Sequence, residues 1–205
     1  MTIRLESSAK LPLKIDGSLC NARIFCYELT GSSEEIVAIV IGDKDADSSP
    51  EKKDPLVRVH SGCLTGDVFG SLRCDCGEQL HAALKAILAN KYGALIYLPG
   101  HEGRGIGLAN KIRAYALQDA GYDTVDANIT LGFAPDSREF ISAADVLKDL
   151  EMKEIRLLTN NPEKARKLVS AGISVRGRVP LVMPSNPHNQ QYLKTKSTRM
   201  GHLDL

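Results

Sequence analysis

Short aliphatic segments alternate with segments of helical periodicity along most of the chain. The segments 55–60, 94–98 and 154–159 are predicted strands, because they are short and rich in aliphatic side chains. A helix is predicted after residue 76, where apolar residues recur at helical spacing: Leu80, Ala83, Leu84, Ile87 and Leu88. Further helices are predicted at 108–120, 138–150 and 162–171. This alternation predicts an α/β fold in which helices flank a mixed β-sheet.

The remaining segments add further strands and loops, and none of them indicates a second domain. Strands are predicted at 21–29, 35–42 and 173–179, and a polar loop at 44–55. Asn161 and Pro162 have the residue types preferred at the N-cap and first position of a helix. The tail 184–205 is polar and predicted to be irregular. No linker or repeat interrupts the chain, so residues 1–205 are predicted to form a single domain.

Charge and composition narrow the class of protein. The 205 residues are 43% hydrophobic and carry a formal net charge of +1, which argues against broad binding to nucleic acid or to a membrane. The N-terminus has no apolar signal segment, and the longest aliphatic run, at 36–41, is too short to span a bilayer. A cytoplasmic protein is therefore expected, whose cysteines stay reduced.

Three of the five cysteines are clustered, at Cys63, Cys74 and Cys76. Thiolates bind zinc well, and three protein ligands would leave the fourth tetrahedral position to water, as in catalytic zinc sites. Spacing leaves two alternatives open: a closed structural site with His60 as fourth ligand, and three thiols without a metal. The other two, Cys20 and Cys26, are interpreted as small buried hydrophobic residues.

The glycine-rich segment 99–107 joins a predicted strand to a predicted helix. It has neither the dinucleotide-binding fingerprint nor a P-loop, but such a turn presents N–H groups that can hold an anion. Glu102 can accept two N–H donors from a guanine edge, and Arg104 can bind a phosphate or carboxylate. The alternative is a tight turn with a solvated Glu and Arg.

Other charged residues divide into two groups. Lys164 lies near a predicted helix N-terminus, where phosphate is favoured, although a structural role is the simpler interpretation. Lys111, Arg113 and Lys148 are predicted to be ordinary exposed helix charges.

Several motifs together resemble one enzyme family, GTP cyclohydrolase II, which catalyses the first committed step of riboflavin biosynthesis. They are HSGCLTGDVFGSLRCDCGEQL, GHEGRGIGLANKIRAYALQD, YDTVDANITLGFAPDSREF, RLLTNNPEK and the closing MGHL. The resemblance covers roughly residues 55–204 and is weaker over 1–54.

The resemblance implies one zinc ion per subunit on Cys63, Cys74 and Cys76, with the fourth position open. It also implies Mg²⁺ with the triphosphate, a homodimer and a mixed-sheet α/β fold. The GTP-binding residues that it implies are Arg58, Val59, His60, Ser61, Gly62, Gln79, Glu102, Gly103, Arg104, Thr124, Thr159 and Lys164.

The implied reaction opens the imidazole ring of GTP at C8, releases C8 as formate and releases pyrophosphate. The product is 2,5-diamino-6-ribosylamino-4(3H)-pyrimidinone 5′-phosphate. The family pattern makes Tyr115 a hydrogen-bond donor or proton shuttle, Asp136 the proton acceptor and Arg138 the nucleophile on the α-phosphorus. Because arginine stays protonated, stabilising charge during phosphoryl transfer is an alternative role for Arg138.

One position departs from the family pattern, where many members have Glu and this chain has Gly62. The change is expected to weaken GTP affinity or relax nucleotide choice. It leaves open a divergent paralogue that acts on another purine nucleotide or stops at a formylated intermediate. A non-catalytic nucleotide-binding module with structural zinc is the third possibility.

Overall fold

One mixed sheet organises the protein. The computed structural model describes residues 2–32, 34–43 and 54–203. In these ranges seven strands form the sheet, in the order β1-β2-β3-β5-β4-β6-β7. They are β1 (Ile3–Ile15), β2 (Ser18–Leu29), β3 (Glu35–Ile41), β4 (Leu56–Ser61), β5 (Gly93–Leu98), β6 (Glu154–Leu158) and β7 (Ser174–Val179).

Strand direction divides the sheet into two halves. The first three strands pair antiparallel, and β3 pairs antiparallel with β5. From β5 onward, through β4, β6 and β7, all pairs are parallel. The predicted α/β fold with a mixed sheet and flanking helices is therefore confirmed.

Helices connect the parallel strands and cover both faces of the sheet. They are α1 (Leu64–Asp67), α2 (Cys76–Asn90), α3 (Leu108–Asp119), α4 (Thr124–Thr130), α5 (Ile141–Asp149), α6 (Pro162–Ser170) and α7 (Gln190–Met200). A short 3₁₀ segment, Pro99–Arg104, follows β5. Among the described residues, no helix has the length and apolar character needed to cross a membrane.

The alternation of side chains along each strand produces two cores. On one face, Val57 and Val59 of β4 belong to the cluster that includes Leu147 of α5 and Leu168 of α6. On the other face, Leu56 packs in the cluster with residues of α2. Nearly the whole of β4 is buried, as is typical of a parallel strand covered on both sides.

The parallel strands place three polar segments at one edge of the sheet. The carboxyl ends of β4, β5 and β6 lead into Gly62, the 3₁₀ segment and Thr159 respectively. Ligands of α/β sheets bind at such ends, so this edge is where the predicted site residues converge.

Element boundaries were partly predictable. Asn161 caps α6 by accepting a hydrogen bond from the backbone N–H of Glu163 at 2.9 Å, and Pro162 begins the helix, as predicted. The helix predicted at 138–150 begins only at Ile141. Most of the polar loop predicted at 44–55 lies outside the described residues.

Two predictions were wrong or incomplete for a common reason. The tail predicted to be irregular contains α7, and the N-terminal strand β1 was not predicted. Most side chains of β1 are exposed, so it lacks the apolar alternation that marks a strand. The sequence of α7 is mostly polar, and its helix is held by contacts with distant parts of the chain, described below.

Gly93 generates a prediction about this sheet. A Cβ atom at Gly93 would lie 2.0 Å from the backbone oxygen of Leu56, where β5 starts beside β4. Because both backbones are fixed in parallel pairing, we expect Gly93→Ala to lower the free energy of unfolding by about 2–3 kcal/mol in urea denaturation.

Gly177→Ala in β7 is the matched control, because a Cβ atom there meets nothing within 4 Å. It should change the free energy of unfolding by less than about 1 kcal/mol. Equal losses in the two variants would contradict the steric argument.

Candidate active site

The three clustered cysteines converge at the carboxyl end of β4. Cys63 is the N-cap of α1, and Cys76 is the first residue of α2. The sulfur atoms of Cys63, Cys74 and Cys76 all lie within 4.8 Å of one another. No disulfide joins them, because all five cysteines of the chain are free.

The sulfur positions fit a zinc ion. The Sγ atoms of Cys63 and Cys74 are 3.7 Å apart. Tetrahedral zinc with Zn–S bonds of about 2.3 Å requires an S···S separation of about 3.8 Å. Three soft thiolate donors are also the ligand type that favours zinc over hard cations. The chemistry and spacing of this cluster therefore suit a zinc ion.

Glycines make room for the cluster. A Cβ atom at Gly66 would lie 2.9 Å from Cys74 Sγ and 3.2 Å from Cys63 Sγ. A Cβ atom at Gly77 would lie 2.3 Å from the Gly66 backbone oxygen. The close approach of α1 and α2 that brings the sulfurs together therefore requires a residue without a side chain at both positions.

His60 contacts Asp67 and is not placed as a fourth ligand of the cysteine cluster. Its Nε2 lies 3.0 Å from Asp67 Oδ1, while Asp67 Oδ2 accepts hydrogen bonds from the Tyr97 hydroxyl and the Cys63 backbone N–H, each at 2.9 Å. The group of possible metal ligands consists of the three cysteines, without His60. This geometry favours the open arrangement over the closed Cys₃His one.

The prediction that Lys111 is an exposed helix charge is wrong. Its side chain is buried, and Nζ donates to Glu102 Oε1 at 2.6 Å and to Cys63 Sγ at 3.1 Å. Burial lowers the pKa of Lys111, but the contacts with Glu102 and Cys63 outweigh it and raise the pKa overall. The available signal was helical spacing, because Lys111 shares a helix face with Ala114 and Tyr115, which line the cavity beside the cysteines. Arg113 is exposed, as predicted.

The three thiols compete for negative charge. The pKa of Cys63 is lowered, chiefly because Cys74 and Cys76 donate hydrogen bonds to its sulfur, with further help from Lys111. The contact with Cys63, together with burial, raises the pKa of Cys74 to about 11. A divalent cation would end this competition, because its charge compensates more than one thiolate.

The first of two adjoining cavities, here called the sulfur cavity, is lined by the cysteine cluster. Besides the three cysteines, eight of the predicted site residues line it: Ser61, Gly62, Glu102, Gly103, Arg104, Tyr115, Thr124 and Arg138. The Tyr115 hydroxyl lies 3.2 Å from Thr65 Oγ1, and the Arg73 guanidinium stacks over the Tyr115 ring. Burial raises the pKa of Tyr115, so its phenol remains protonated at neutral pH.

The second cavity, here called the cationic cavity, is lined by five basic side chains: Arg58, Arg104, Arg138, Lys164 and Lys196. Predicted site residues His60, Gln79 and Thr159 line it as well. Both cavities are lined by Ser61, Cys76, Arg104, Arg138 and Tyr192, so they adjoin each other.

Buried positive charge dominates the cationic cavity. Burial and then the neighbouring cations Arg58 and Arg138 hold the pKa of Lys164 well below its ordinary value. Burial lowers the pKa of Arg58 to about 10. Two terminal nitrogens of Arg104 are buried without a hydrogen-bond partner in the described part of the chain. Arg104 also has a φ of 68°, a strained conformation for a residue with a side chain. Such a cavity favours an anion.

Asp136 and Val59 line neither cavity but hold residues that do. Asp136 accepts from Arg138 Nε at 2.8 Å and Nη2 at 2.6 Å. Burial raises the pKa of Asp136, but these hydrogen bonds outweigh it, and the pKa is lowered overall. Val59 contributes its backbone oxygen, which accepts a hydrogen bond from Lys164 Nζ at 2.7 Å.

The carboxylate of Glu102 is already engaged. One oxygen accepts from Lys111 Nζ, and the other accepts from the Leu64 backbone N–H at 2.7 Å. Glu102 therefore supports the turn that follows Cys63. A guanine edge would have to share its remaining lone pairs.

Besides Lys111, sequence reasoning missed four titratable residues that line these cavities. His101 is buried, with Nδ1 3.1 Å from Ser61 Oγ. Tyr192, Lys196 and His202 come from the C-terminal segment. Of these, only His101 and His202 lay in motifs that the sequence singled out, GHEGRG and MGHL.

Comparisons with known proteins agree with this geometry. A family model described as GTP cyclohydrolase II matches residues 4–180, a range that takes in the N-terminal strands. GTP cyclohydrolase-2 of Salmonella typhimurium is 50% identical over 203 residues, which are 99% of this chain and 98% of that protein. Riboflavin biosynthesis protein RibBA of Bacillus subtilis is 52% identical over 203 residues, but these are 49% of its length.

A plant relative is longer still. The probable bifunctional riboflavin biosynthesis protein RIBA 2, chloroplastic, of Oryza sativa subsp. japonica is 48% identical over 201 residues. The match covers 98% of this chain and 35% of the rice protein. The chain thus spans a third to a half of the length of several curated relatives and nearly all of the Salmonella protein.

Lys111 generates a prediction about metal affinity. Three thiolates and one Zn²⁺ carry a net negative charge, which the Lys111 ammonium offsets through its contact with Cys63. We expect Lys111→Met to raise the dissociation constant for zinc about tenfold in competition with a chelator.

Arg113→Met, on the exposed side of α3, removes the same charge and should leave zinc affinity unchanged. Because Lys111→Met leaves Glu102 unpaired, the double variant Lys111→Met/Glu102→Gln should bind zinc as weakly as the single one. Wild-type zinc affinity in both would refute the charge-compensating role.

Gly62 generates a prediction about the departure from the family pattern. A Cβ atom at Gly62 would lie 3.0 Å from both the Leu98 backbone oxygen and Pro99 Cα. We expect Gly62→Ala and Gly62→Glu to lower the free energy of unfolding by a similar amount, about 1–2 kcal/mol in urea denaturation. A Gly62→Glu protein as stable as wild type would show that the turn accommodates the carboxylate.

Proposed function

The chain belongs to the GTP cyclohydrolase II family, and from this membership we propose that it hydrolyses GTP, with zinc, to 2,5-diamino-6-ribosylamino-4(3H)-pyrimidinone 5′-phosphate, formate and pyrophosphate. It is then a hydrolase of C–N bonds in a cyclic amidine. The reaction is the first step of riboflavin biosynthesis.

The observation that carries this proposal is that the two cavities adjoin and share five lining residues. GTP has an electron-poor ring carbon at one end and a polyanion at the other. The sulfur cavity offers a metal-ligating cluster, and the adjoining cationic cavity offers five basic side chains. A single nucleotide can therefore present its base to one cavity and its phosphates to the other.

In the sulfur cavity we assign zinc binding to Cys63, Cys74 and Cys76. A bound zinc ion would supply a Lewis acid that activates water for hydrolysis. Lys111 keeps the Cys63 thiolate paired with a positive charge, and Glu102 fixes the turn after Cys63 through the Leu64 N–H. These contacts hold Cys63 and the turn after it in position.

Tyr115 is assigned to proton transfer at the ring. Its pKa is raised by burial, so the phenol enters the reaction as a proton donor. Lys111 Nζ lies 5.7 Å from the centre of the Tyr115 ring, close enough to stabilise negative charge that develops on the phenol oxygen as its proton leaves. Thr65 Oγ1, within hydrogen-bond reach of the hydroxyl, orients it.

Asp136 and Arg138 are assigned to the α-phosphate. The two-point pairing with Asp136 outweighs burial and raises the pKa of Arg138 above its ordinary value. A guanidinium that keeps its proton this firmly is better suited to stabilising charge on a phosphoryl group than to attacking phosphorus. We therefore assign Arg138 to charge stabilisation, held in orientation by Asp136.

The remaining assignments follow from the family and from the cavities. Arg58, Gln79, Thr159 and Lys164 bind the phosphates, and Thr124 binds near the base. We further propose that Mg²⁺ accompanies the triphosphate and that the protein is a homodimer, as the family resemblance implies. We also propose a cytoplasmic location, a compartment in which cysteines stay reduced.

Product analysis tests the proposed function. Zinc-loaded protein with GTP and Mg²⁺ should yield the diaminopyrimidinone monophosphate, formate and pyrophosphate in equal amounts by mass spectrometry. We expect Cys74→Ser to lower formate release about 100-fold or more, because loss of a ligand costs at least as much as loss of an outer-shell contact.

Cys26→Ser is the control, because Cys26 lies in β2 and lines neither cavity. It should retain wild-type activity. Formate release by a zinc-free Cys74→Ser protein would refute the role of zinc. A formylated product, GMP with pyrophosphate, or unchanged GTP from the wild-type protein would refute the proposed reaction.

A further inference from the structure

The C-terminal segment forms one wall of the cationic cavity. The family model ends its match at residue 180, whereas α7 and the residues after it begin at Gln190. Four side chains of this segment nevertheless line the cavity: Tyr192, Lys196, Met200 and His202. We propose that this segment completes a polyphosphate subsite in which Lys196 and His202 bind phosphate oxygens, an inference that rests on GTP being the substrate.

Backbone contacts hold the segment against the cavity. Helix α7 ends at Gly201, whose φ of 63° lets the chain turn so that the His202 N–H bonds the Lys196 backbone oxygen at 3.1 Å. The next residue, Leu203, donates its N–H to the backbone oxygen of Asn160 at 2.9 Å. Asn160 follows β6 and lines the same cavity. The turn therefore anchors His202 beside the polar segment of β6.

Side chains fix the other side of α7. Arg199 pairs with Asp123 at 2.5 Å and with Asp126 at 2.9 Å, and both carboxylates lie at the start of α4. Thr124, between them, lines the sulfur cavity. The C-terminal segment thus contacts elements that line both cavities. This placement is expected of a segment that forms part of a binding site.

Lys196 has capacity for a phosphate. Its side chain is buried, and Nζ donates to Asp75 Oδ1 at 2.7 Å and lies 4.5 Å from the centre of the Tyr192 ring. An ammonium group has three donors, so the bond to Asp75 leaves others for an oxyanion. Although Lys196 already has one carboxylate partner, it lines a cavity together with four other cations, so the cavity still favours an anion.

His202 has an unsatisfied nitrogen in this cavity. Its Nε2 is buried without a hydrogen-bond partner in the ranges that the structure describes. Buried polar atoms are almost always paired, so an orphan atom lining a cavity indicates a missing ligand. Burial and then the cations Lys196, Arg138 and Lys164 lower the pKa of His202 to about 3. A bound polyanion would oppose those cations and favour a proton on the ring, which strengthens the hydrogen bond to phosphate.

Binding of inorganic tripolyphosphate tests this inference without requiring turnover. Titration calorimetry on the zinc-loaded full chain should show that His202→Leu and Lys196→Met each raise the dissociation constant about tenfold, the cost of one hydrogen bond to a charged group. The KM for GTP should rise by a similar factor. Because His202 Nε2 has no partner to lose, His202→Leu should also melt no lower than the wild-type protein.

Lys194→Met is the matched control, because Lys194 is exposed on the same helix and carries the same charge. Its dissociation constant should stay within about twofold of wild type, since exposed charges are screened by salt. Lys196→Met removes the cationic partner of Asp75 and leaves a buried negative charge. The double variant Lys196→Met/Asp75→Asn removes that charge as well and should bind tripolyphosphate as weakly as the single variant.

Two results would overturn the inference: a wild-type protein that binds no tripolyphosphate, or His202→Leu and Lys196→Met proteins whose affinity equals that of wild type. Failure of the proposed function is a separate result. If product analysis refuted GTP hydrolysis while tripolyphosphate binding was weakened in both variants, the subsite would stand and the reaction would not.

Discussion

The position of β4 is the constraint on which both cavities depend. It lies between two parallel neighbours, β5 and β6, so its backbone is fixed on both sides. The pairing continues past its end, where the Gly62 N–H bonds the Leu98 backbone oxygen at 2.9 Å. The position of Cys63, the next residue, is therefore fixed by this pairing. The buried Asp67 carboxylate then holds the Cys63 N–H, Tyr97 and His60 together, which fixes both the ligand and the histidine beside it.

The cysteine cluster and the basic residues of the cationic cavity are connected through Asp75. This carboxylate lies between the ligand residues Cys74 and Cys76 in the sequence, and it accepts from Gln79 Nε2 at 2.6 Å and from Lys196 Nζ at 2.7 Å. Gln79 in turn accepts from Arg58 Nη2 at 2.6 Å. Arg58 and Lys196 are thus both connected to the start of α2, where Cys76 lies. One short hydrogen-bonded chain therefore connects the cationic cavity with the cysteine cluster.

The features that could be predicted from the sequence are those that depend on residues close together in the chain. The parallel strands β4 and β5 are buried on both faces, so their short aliphatic runs identified them. Asn161 and Pro162 marked a helix start by local chemistry alone. Strand β1 and helix α7 carry little apolar periodicity and were missed. Lys111 was assigned to the surface because a helical lysine usually lies there. Its partner Cys63 is 48 residues away in the sequence, and only the fold brings them together. The choice between an open and a closed metal site likewise depended on Asp67 engaging His60, which spacing cannot reveal.

The cationic cavity is a source of instability that its ligand would relieve. Burial disfavours the charged form of Lys164, and Arg104 holds a strained backbone conformation while two of its guanidinium nitrogens lack partners among the described residues. Each such feature costs the folded protein free energy, and an anion can compensate the buried charge and the unpaired nitrogens. Because a ligand that binds only the folded state stabilises it by mass action, a bound polyanion offsets the same charges that destabilise the empty cavity. The free energy stored in Lys164 and Arg104 is then available for binding. Asp136 and Asp75 pair with two other cations of the cavity, Arg138 and Lys196, and hold them in position before the ligand arrives.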